Sequence, residues 1–399
     1  MRWATALSTE DRFDRAMGEV MSDLERDLDG APDLVMARAS PHHRAVWDAV
    51  SRLLGDRFPT AVQIGCSANG VIGAGREVED SPAISAIAAR LPETRITGFY
   101  LGPEDVPDPG APSDFWNRRL GAGSGDGQAT VILLPDPFSC QAERIVGSLD
   151  RGLTGVTTIG GLASGARQTG SNMLYLGGTV FHEGCVGVSL EGGHRIETVV
   201  AQGCRPIGEP YIVTDCDRFQ ITSLDGRRPA EVLHELFESL TPHDQDLLRY
   251  SLFLGIVTRS NPSRLEPGDF LIRNLAGLDP ATGAVTIAGR IERGQVVQFH
   301  LRDRETSRLD LRAHLEARAA NERDAPEAAL TYSCLGRGIH LYGEPDHDSR
   351  LVRELVGDVP IGGFFCNGEI GPVQGRTHIH GYTTVLAMIH PVTRHPIAP

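Results

Sequence analysis

Residues 33–70 read DLVMARASPHHRAVWDAVSRLLGDRFPTAVQIGCSANG, and the order of patterns inside them decides the fold class. DLVMARAS is a short apolar run suited to a buried strand. In PHHRAVWDAVSRLLG, Val46, Trp47, Val50, Leu53 and Leu54 fall on one helical face. PTAVQIGCSANG is a second strand that ends in a glycine turn at 65–70. Strand, helix, strand and glycine turn in that order predict layered sheet and helix.

The same order recurs at 128. ATVILLPDPF reads as a strand. SCQAERIVGSL reads as a helix, with Ser139 as its N-cap and Ala142, Ile145, Val146 and Leu149 on one face. LTGVTTIGGLASG then runs from a strand into a turn at Gly160, Gly161 and Gly165. A third occurrence begins at 330, with LTYSCLGRG, the helix DSRLVRELVG, and DVPIGGFFCNGEIG. A further strand follows each turn, in AISAIAARL, TVFHEGCVGVSL and YTTVLAMI. The expected architecture is α/β: quasi-repeated strand-helix-strand-glycine turn-strand units forming mixed sheets with packed helices, in two domains. The expected divisions are a helical lead-in over 1–32, an N-terminal domain over 33–225 and a C-terminal domain over 226–392.

Between the second and third units, CRPIGEPYIVTDCDRFQITSLDG predicts two or three strands, and RPAEVLHELFESL a helix with Pro229 in its first turn. TPHDQDLLRYSLFLGIV reads as another helix, opened by Thr241 and Asp244. The run from Asp269 to Asp303 alternates as antiparallel strands around the turn DPATG. Residues 101–128, rich in Pro, Gly and Asp, predict a long surface loop.

Composition removes several function classes. The 399 residues carry a net charge of −14, which disfavours nucleic acid or an anionic membrane as partner. All 38 basic residues are Arg. Without lysine there is no Walker A phosphate loop and no Schiff-base chemistry. Seven cysteines without a CxxC pair fit free thiols in a reducing compartment. With no apolar run of membrane length, the expectation is a cytoplasmic protein.

The motifs leave few chemical sites. GCSAN at 65–69 departs from the nucleophile elbow at its fifth residue, and GVIGAG at 70–75 has the wrong spacing for a dinucleotide fingerprint. Cys66 and Cys366 occupy matching places in units one and three, and are the candidates if the protein is a cysteine-dependent hydrolase or transferase. His378 and His380 share a strand face, but no known metal-ligand spacing includes them, so no metal or other cofactor is assigned. Glycine turns expose backbone N–H groups and admit close approach of a ligand. Arg273, Asn274, Arg337, Cys366, Asn367, Glu369 and His380 lie in or beside Gly-rich strands and form the candidate ligand set. In that reading an Arg holds a carboxylate and Glu369 an ammonium, as an amino acid would require. Each Arg taken alone reads first as a structural ion pair, and only the clustering within Gly-rich strands argues for a pocket.

VQIGCSANGVIGAGREVEDSPAIS, LPDPF and IGGLASG resemble the N-terminal signature of the FIST proteins. RNLAGLDPATGAVTIAGRIERGQVVQFHLRD, SCLGRGIHLYGEPDHDS and GGFFCNGEIGPVQGRTHIHGYTT resemble the C-terminal one. The likeness runs from about residue 33 to 392. It implies an intracellular sensory module for small ligands, amino acids among them, which in bacteria precedes kinase, chemoreceptor or cyclic-dinucleotide domains and in eukaryotes can follow an F-box. Here the two halves use nearly the whole chain, so the expectation is a stand-alone sensor that signals through a separate output protein. An interaction scaffold that recruits its partner through 101–128 is the other open reading.

Overall fold

In the computed structural model, residues 1–105, 107, 113–120, 129–259, 265, 268–321 and 324–392 are described. The chain divides into two compact units. The larger comprises Met1–Val200, His314–Ile379 and the chain from Thr383; the smaller comprises Ala201–Ala313 and His380–Tyr382.

The larger unit contains the three repeats. Each contributes a parallel strand pair: Leu34–Ala39 with Val62–Ser67, Ala129–Pro135 with Val156–Gly161, and Ala328–Cys334 with Ile361–Cys366. Each pair sits inside its own six-stranded sheet. Beside the first strand of each pair runs the antiparallel strand that ends the repeat: Ile84–Arg90, Cys185–Gly192 or Thr384–Pro391. Beside the second strand runs a hairpin taken from a different repeat. The hairpin Gly70–Gly73/Arg76–Glu79 of repeat one joins the sheet of repeat three, through Gly362 opposite Gly73. The hairpin Leu174–Leu176/Thr179–Phe181 of repeat two joins the sheet of repeat one. The strands Glu369–Val373 and Arg376–His380 of repeat three join the sheet of repeat two. The exchange is cyclic, so the larger unit is a pseudo-threefold assembly in which no repeat completes its own sheet.

The inner faces of the sheets meet in one core. Leu34, Met36 and Ile64 pack there with Ile132, Leu134 and Val186, and with Leu330, Tyr332 and Phe364. The outer faces carry helices whose apolar spacing is that of a one-sided helix. Phe13–Leu28 buries Ala16, Met17, Val20, Leu24 and Leu28, and Ala142–Gly152 buries Ala142, Ile145, Val146 and Leu149. In repeat one, Trp47, Val50 and Leu54 turn inward while Val46 is exposed, because Pro41–Val46 forms a 3-10 turn before the α-helix Asp48–Arg57 begins.

The α/β expectation holds, with mixed sheets. Several local expectations do not. The lead-in opens with a strand, Arg2–Ser8, paired antiparallel to Ile84–Arg90. Ser139 does not cap its helix; its hydroxyl donates to Asp136 at 2.6 Å and accepts from the Gly184 N–H, while the helix starts after Gln141. Within 101–128, Ser113–Leu120 is a helix whose Trp116 is fully buried and donates to Ser148 at 3.0 Å; residues 106, 108–112 and 121–128 of that segment lie outside the described residues. An indole needs an apolar bed and one acceptor, and the neighbouring helix supplies both.

The smaller unit is a closed barrel of six strands: Cys204–Asp217, Gln220–Leu224, Val285–Ile287, Phe270–Leu278, Leu252–Val257 and Val296–Arg302. Closure satisfies every strand edge without a covering helix. It also splits TPHDQDLLRYSLFLGIV. Pro242–Ser251 is helical, capped by Thr241 accepting from the Asp244 N–H at 3.2 Å, but Leu252–Val257 pairs on both sides in the barrel. A continuous apolar run carries no period that separates the two outcomes.

Candidate functional site

Three glycines set up the site. Gly65, Gly160 and Gly363 each lie against the parallel neighbour so closely that a Cβ would stand 1.9, 2.0 or 1.8 Å from the carbonyl oxygen of Ala37, Leu133 or Thr331. Four residues after these glycines stand Asn69, Ser164 and Asn367, and the next residue is glycine each time: Gly70, Gly165 and Gly368. Four residues after Ala37, Leu133 and Thr331 stand Pro41, Pro137 and Leu335. All six of these pseudo-equivalent positions line one hollow of about 790 Å3 at the carboxyl ends of the three parallel pairs. In α/β sheets that end is where diverging loops leave room for a ligand.

The turns are tied to one another. The Ser164 N–H donates to the Ser67 carbonyl at 3.3 Å, and the Asn69 N–H to the Ser164 hydroxyl at 3.0 Å, whose own hydrogen goes to the Phe365 carbonyl. Leu162 and the third turn exchange two backbone bonds, Leu162 N–H to Gly368 at 2.9 Å and Asn367 N–H to Leu162 at 3.1 Å. Such closeness forbids side chains. A Cβ at Gly165 would lie 2.5 Å from the Ser67 Cβ, and one at Gly161 would lie 2.2 Å from the Cys366 sulfur. Asp136, fully buried, shapes the Pro137–Phe138 wall. Its Oδ2 accepts from the N–H groups of Phe138 and Ser139, and its Oδ1 from Asn172, which in turn accepts from the Ser67 hydroxyl.

The hollow is cationic. Arg44 and Arg167 are the ionisable side chains among its lining residues, and no carboxylate among the described residues lines it. Among the described residues neither is held in an ion pair. Arg44 reaches the Ser171 carbonyl at 3.4 Å and lies 5.9 Å from the Trp47 ring centroid. Pro41, Pro137, Phe138, Ala166 and Leu335 supply apolar wall, and Phe138 remains 40% exposed.

Of the candidate ligand residues, Asn367 lines this hollow. Cys366 lies one residue below it, fully buried, and burial pushes its thiol well above the ordinary range. Glu369 is fully buried; its Oε2 accepts from the Thr383 N–H at 3.2 Å, and burial raises its carboxyl well above the usual carboxylate range. Arg337 is fully buried against Asp348, with Nε to Oδ2 at 3.0 Å, and donates to the Tyr342 hydroxyl at 2.6 Å. His380, 3% exposed, ends its strand. Arg273 and Asn274 belong to the barrel strand Phe270–Leu278. Arg273 lies over Gly289, where a Cβ would stand 2.6 Å from its Nε, and Asn274 accepts from the Tyr382 hydroxyl. The hollow of the larger unit is lined by neither. Cys66 is also fully buried, and burial pushes it up to about 12. Among the described residues no group of three or more His, Cys, Asp or Glu side chains is arranged to hold a metal ion. No helix among them is long and apolar enough to cross a membrane.

Arg44, Asn69, Phe138, Ser164 and Arg167 are site residues that motif reading passed over. For Asn69 and Ser164 the signal is in the sequence: GCSANG, GGLASG and GFFCNG align as Gly, three residues, Asn or Ser, Gly.

The FIST N domain family model matches residues 33–227, and the FIST C domain model residues 229–372. An uncharacterized protein of Mycobacterium tuberculosis is 37% identical over 391 residues, covering 97% of this chain and 99% of its own. An uncharacterized protein of Mycobacterium bovis is 36% identical over 395 residues, covering 97% and 98%. F-box only protein 22 of Homo sapiens is 30% identical over 89 residues, 18% of this chain and 22% of its own. With both models matched in order across most of its length, this chain belongs to the FIST family, whose domains are associated with sensory signalling.

Proposed function

We propose that this protein is a cytoplasmic sensor that binds a small molecule in the hollow at the pseudo-threefold axis and signals through an output protein. The observation that carries the reading is the junction of the three repeats, each giving one polar side chain from its glycine turn and one apolar residue from the end of its first paired strand to the same wall. A ligand there touches all three repeats at once. Its binding free energy therefore acts on the junction that holds them together, which is how a small ligand shifts the balance between states of a protein. An amino acid is the ligand class implied by the family resemblance. In this hollow the carboxylate of a ligand would meet Arg44 and Arg167, and its apolar body the wall of Pro41, Pro137, Phe138 and Leu335.

The test is a thermal-shift panel of the twenty amino acids and of simple organic acids at millimolar concentration, on the wild type and on Asn367→Trp, which places an indole in the hollow where the three repeats meet. A ligand that occupies the site raises the melting temperature of the wild type alone. No stabilisation by any member of the panel would sink the reading. The cysteine-enzyme reading has less support, since Cys66 and Cys366 are both buried with thiols pushed up rather than activated.

A further inference from the structure

We infer that the hollow takes a small carboxylic acid with an aliphatic or aromatic body and no ammonium group. The inference rests on the reading that this hollow is the ligand site, and it narrows the class that the site accepts. The protein has a net charge of −14, yet at this one concavity the balance is reversed. Arg44 and Arg167 stand at it with no ion-pair partner among the described residues. An unpaired guanidinium beside an apolar wall is the arrangement that grips a carboxylate through two parallel hydrogen bonds.

An ammonium finds nothing comparable. The lining offers it only the amide oxygens of Asn69, Gln168 and Asn367, the Ser164 hydroxyl, and backbone carbonyls. Glu369, two residues from Asn367, is fully buried with its Oε2 committed to the Thr383 N–H. Asp136 is fully buried and receives hydrogens from Phe138, Ser139 and Asn172. A cation placed among these groups loses its water shell and faces two guanidinium groups, so the site rejects it twice over. The rest of the ligand has a defined bed: two prolines and a leucine at the three equivalent positions, with the exposed Phe138 ring beside one of them. That bed suits a hydrocarbon chain or ring more than a second polar group.

The experiment is isothermal titration calorimetry on the full chain with three probes of one shape: 3-phenylpropionate, L-phenylalanine and 2-phenylethylamine. The expected result is 3-phenylpropionate binding at least about tenfold tighter than phenylalanine, with no heat from the amine. Arg44→Gln with Arg167→Gln should weaken 3-phenylpropionate at least about tenfold, and added salt should weaken wild-type binding while leaving that variant's residual binding unchanged. Arg12→Gln with Arg26→Gln, surface changes in the Arg12–Asp14 and Arg26–Asp23 pairs, is the charge-matched control and should bind as the wild type does. Both pocket arginines are exposed, so the variant should unfold at the wild-type urea midpoint; if it does not, the salt titration on the wild type decides alone. Equal or tighter binding of phenylalanine would overturn the ligand class and leave the site standing. Binding of 3-phenylpropionate unaffected by salt would also overturn the class. Silence from all three probes would overturn the site reading together with the class.

Discussion

Replacing Gly161 by Ala, alone and together with Cys366→Ala, tests whether the glycine turns of repeats two and three meet. The added methyl carbon would lie 2.2 Å from the Cys366 sulfur, 3.1 Å from its Cβ and 3.2 Å from the Phe364 ring. The sulfur must move by more than an ångström, in a fully buried place. Overpacking of that kind costs about 1–3 kcal/mol, and Ala returns about 0.4–1 kcal/mol by restricting the unfolded chain. The net expectation is a loss of about 1–2 kcal/mol. Cys366→Ala alone removes a buried sulfur and leaves a small void, for about 1–2 kcal/mol. In the double variant the new methyl occupies the space the sulfur left, and the two remaining approaches need to yield by only tenths of an ångström. Its loss should be about 1–2 kcal/mol rather than the sum, a coupling of about 1–2 kcal/mol. Urea denaturation followed by tryptophan fluorescence is the assay, because Trp3, Trp47 and Trp116 are all buried in the larger unit and report its unfolding. Gly178→Ala, with nothing within 4 Å of its Cβ, is the control. Additive losses from the two substitutions would refute the convergence of the turns.

Arg337→Met should cost about 3–5 kcal/mol by leaving Asp348 buried without its guanidinium; adding Asp348→Leu should recover part of that loss in the same urea assay. Burial and the nearby Asp348 raise Glu77 to about 8, so its contribution is full below the usual carboxylate range near 4.5 and is lost as pH rises towards 8. Glu77→Gln keeps an acceptor for the Ser349 N–H and hydroxyl. It should therefore gain stability over the wild type as pH rises from about 5 to 8, by an amount on the order of a few kcal/mol, and a flat difference would refute the assignment. With iodoacetamide at neutral pH, the half-buried Cys140, Cys216 and Cys334 should alkylate well before Cys66 and Cys366; mass spectrometry showing either buried thiol reacting first would revive the nucleophile reading.

The repeats were legible because each encodes its own local pattern. An apolar run, an amphipathic helix and a Gly-terminated strand need only neighbours along the chain to be recognised, and three copies in one order point to layered α/β structure. The helix face of Ala142, Ile145, Val146 and Leu149 was readable for the same reason. What failed depended on partners far away. Arg2–Ser8 becomes a strand because Ile84–Arg90 offers a free edge, and Trp116 is buried because the helix Ala142–Gly152 lies beside it. Arg337 reads as a ligand grip until Asp348 and Tyr342 are found holding it in the core.

The amino-acid order by itself determined the α/β class, the threefold repetition and the need for tight glycine turns, since these follow from periodicity and from steric limits within a few residues. Only the tertiary structure decided that each repeat lends its hairpin to another and that Asn69, Ser164 and Asn367 therefore face one hollow beside two arginines that have no ion-pair partner among the described residues. Strand pairing joins groups hundreds of residues apart through backbone hydrogen bonds that any side chain allows, so the choice of partner leaves almost no mark on the local sequence.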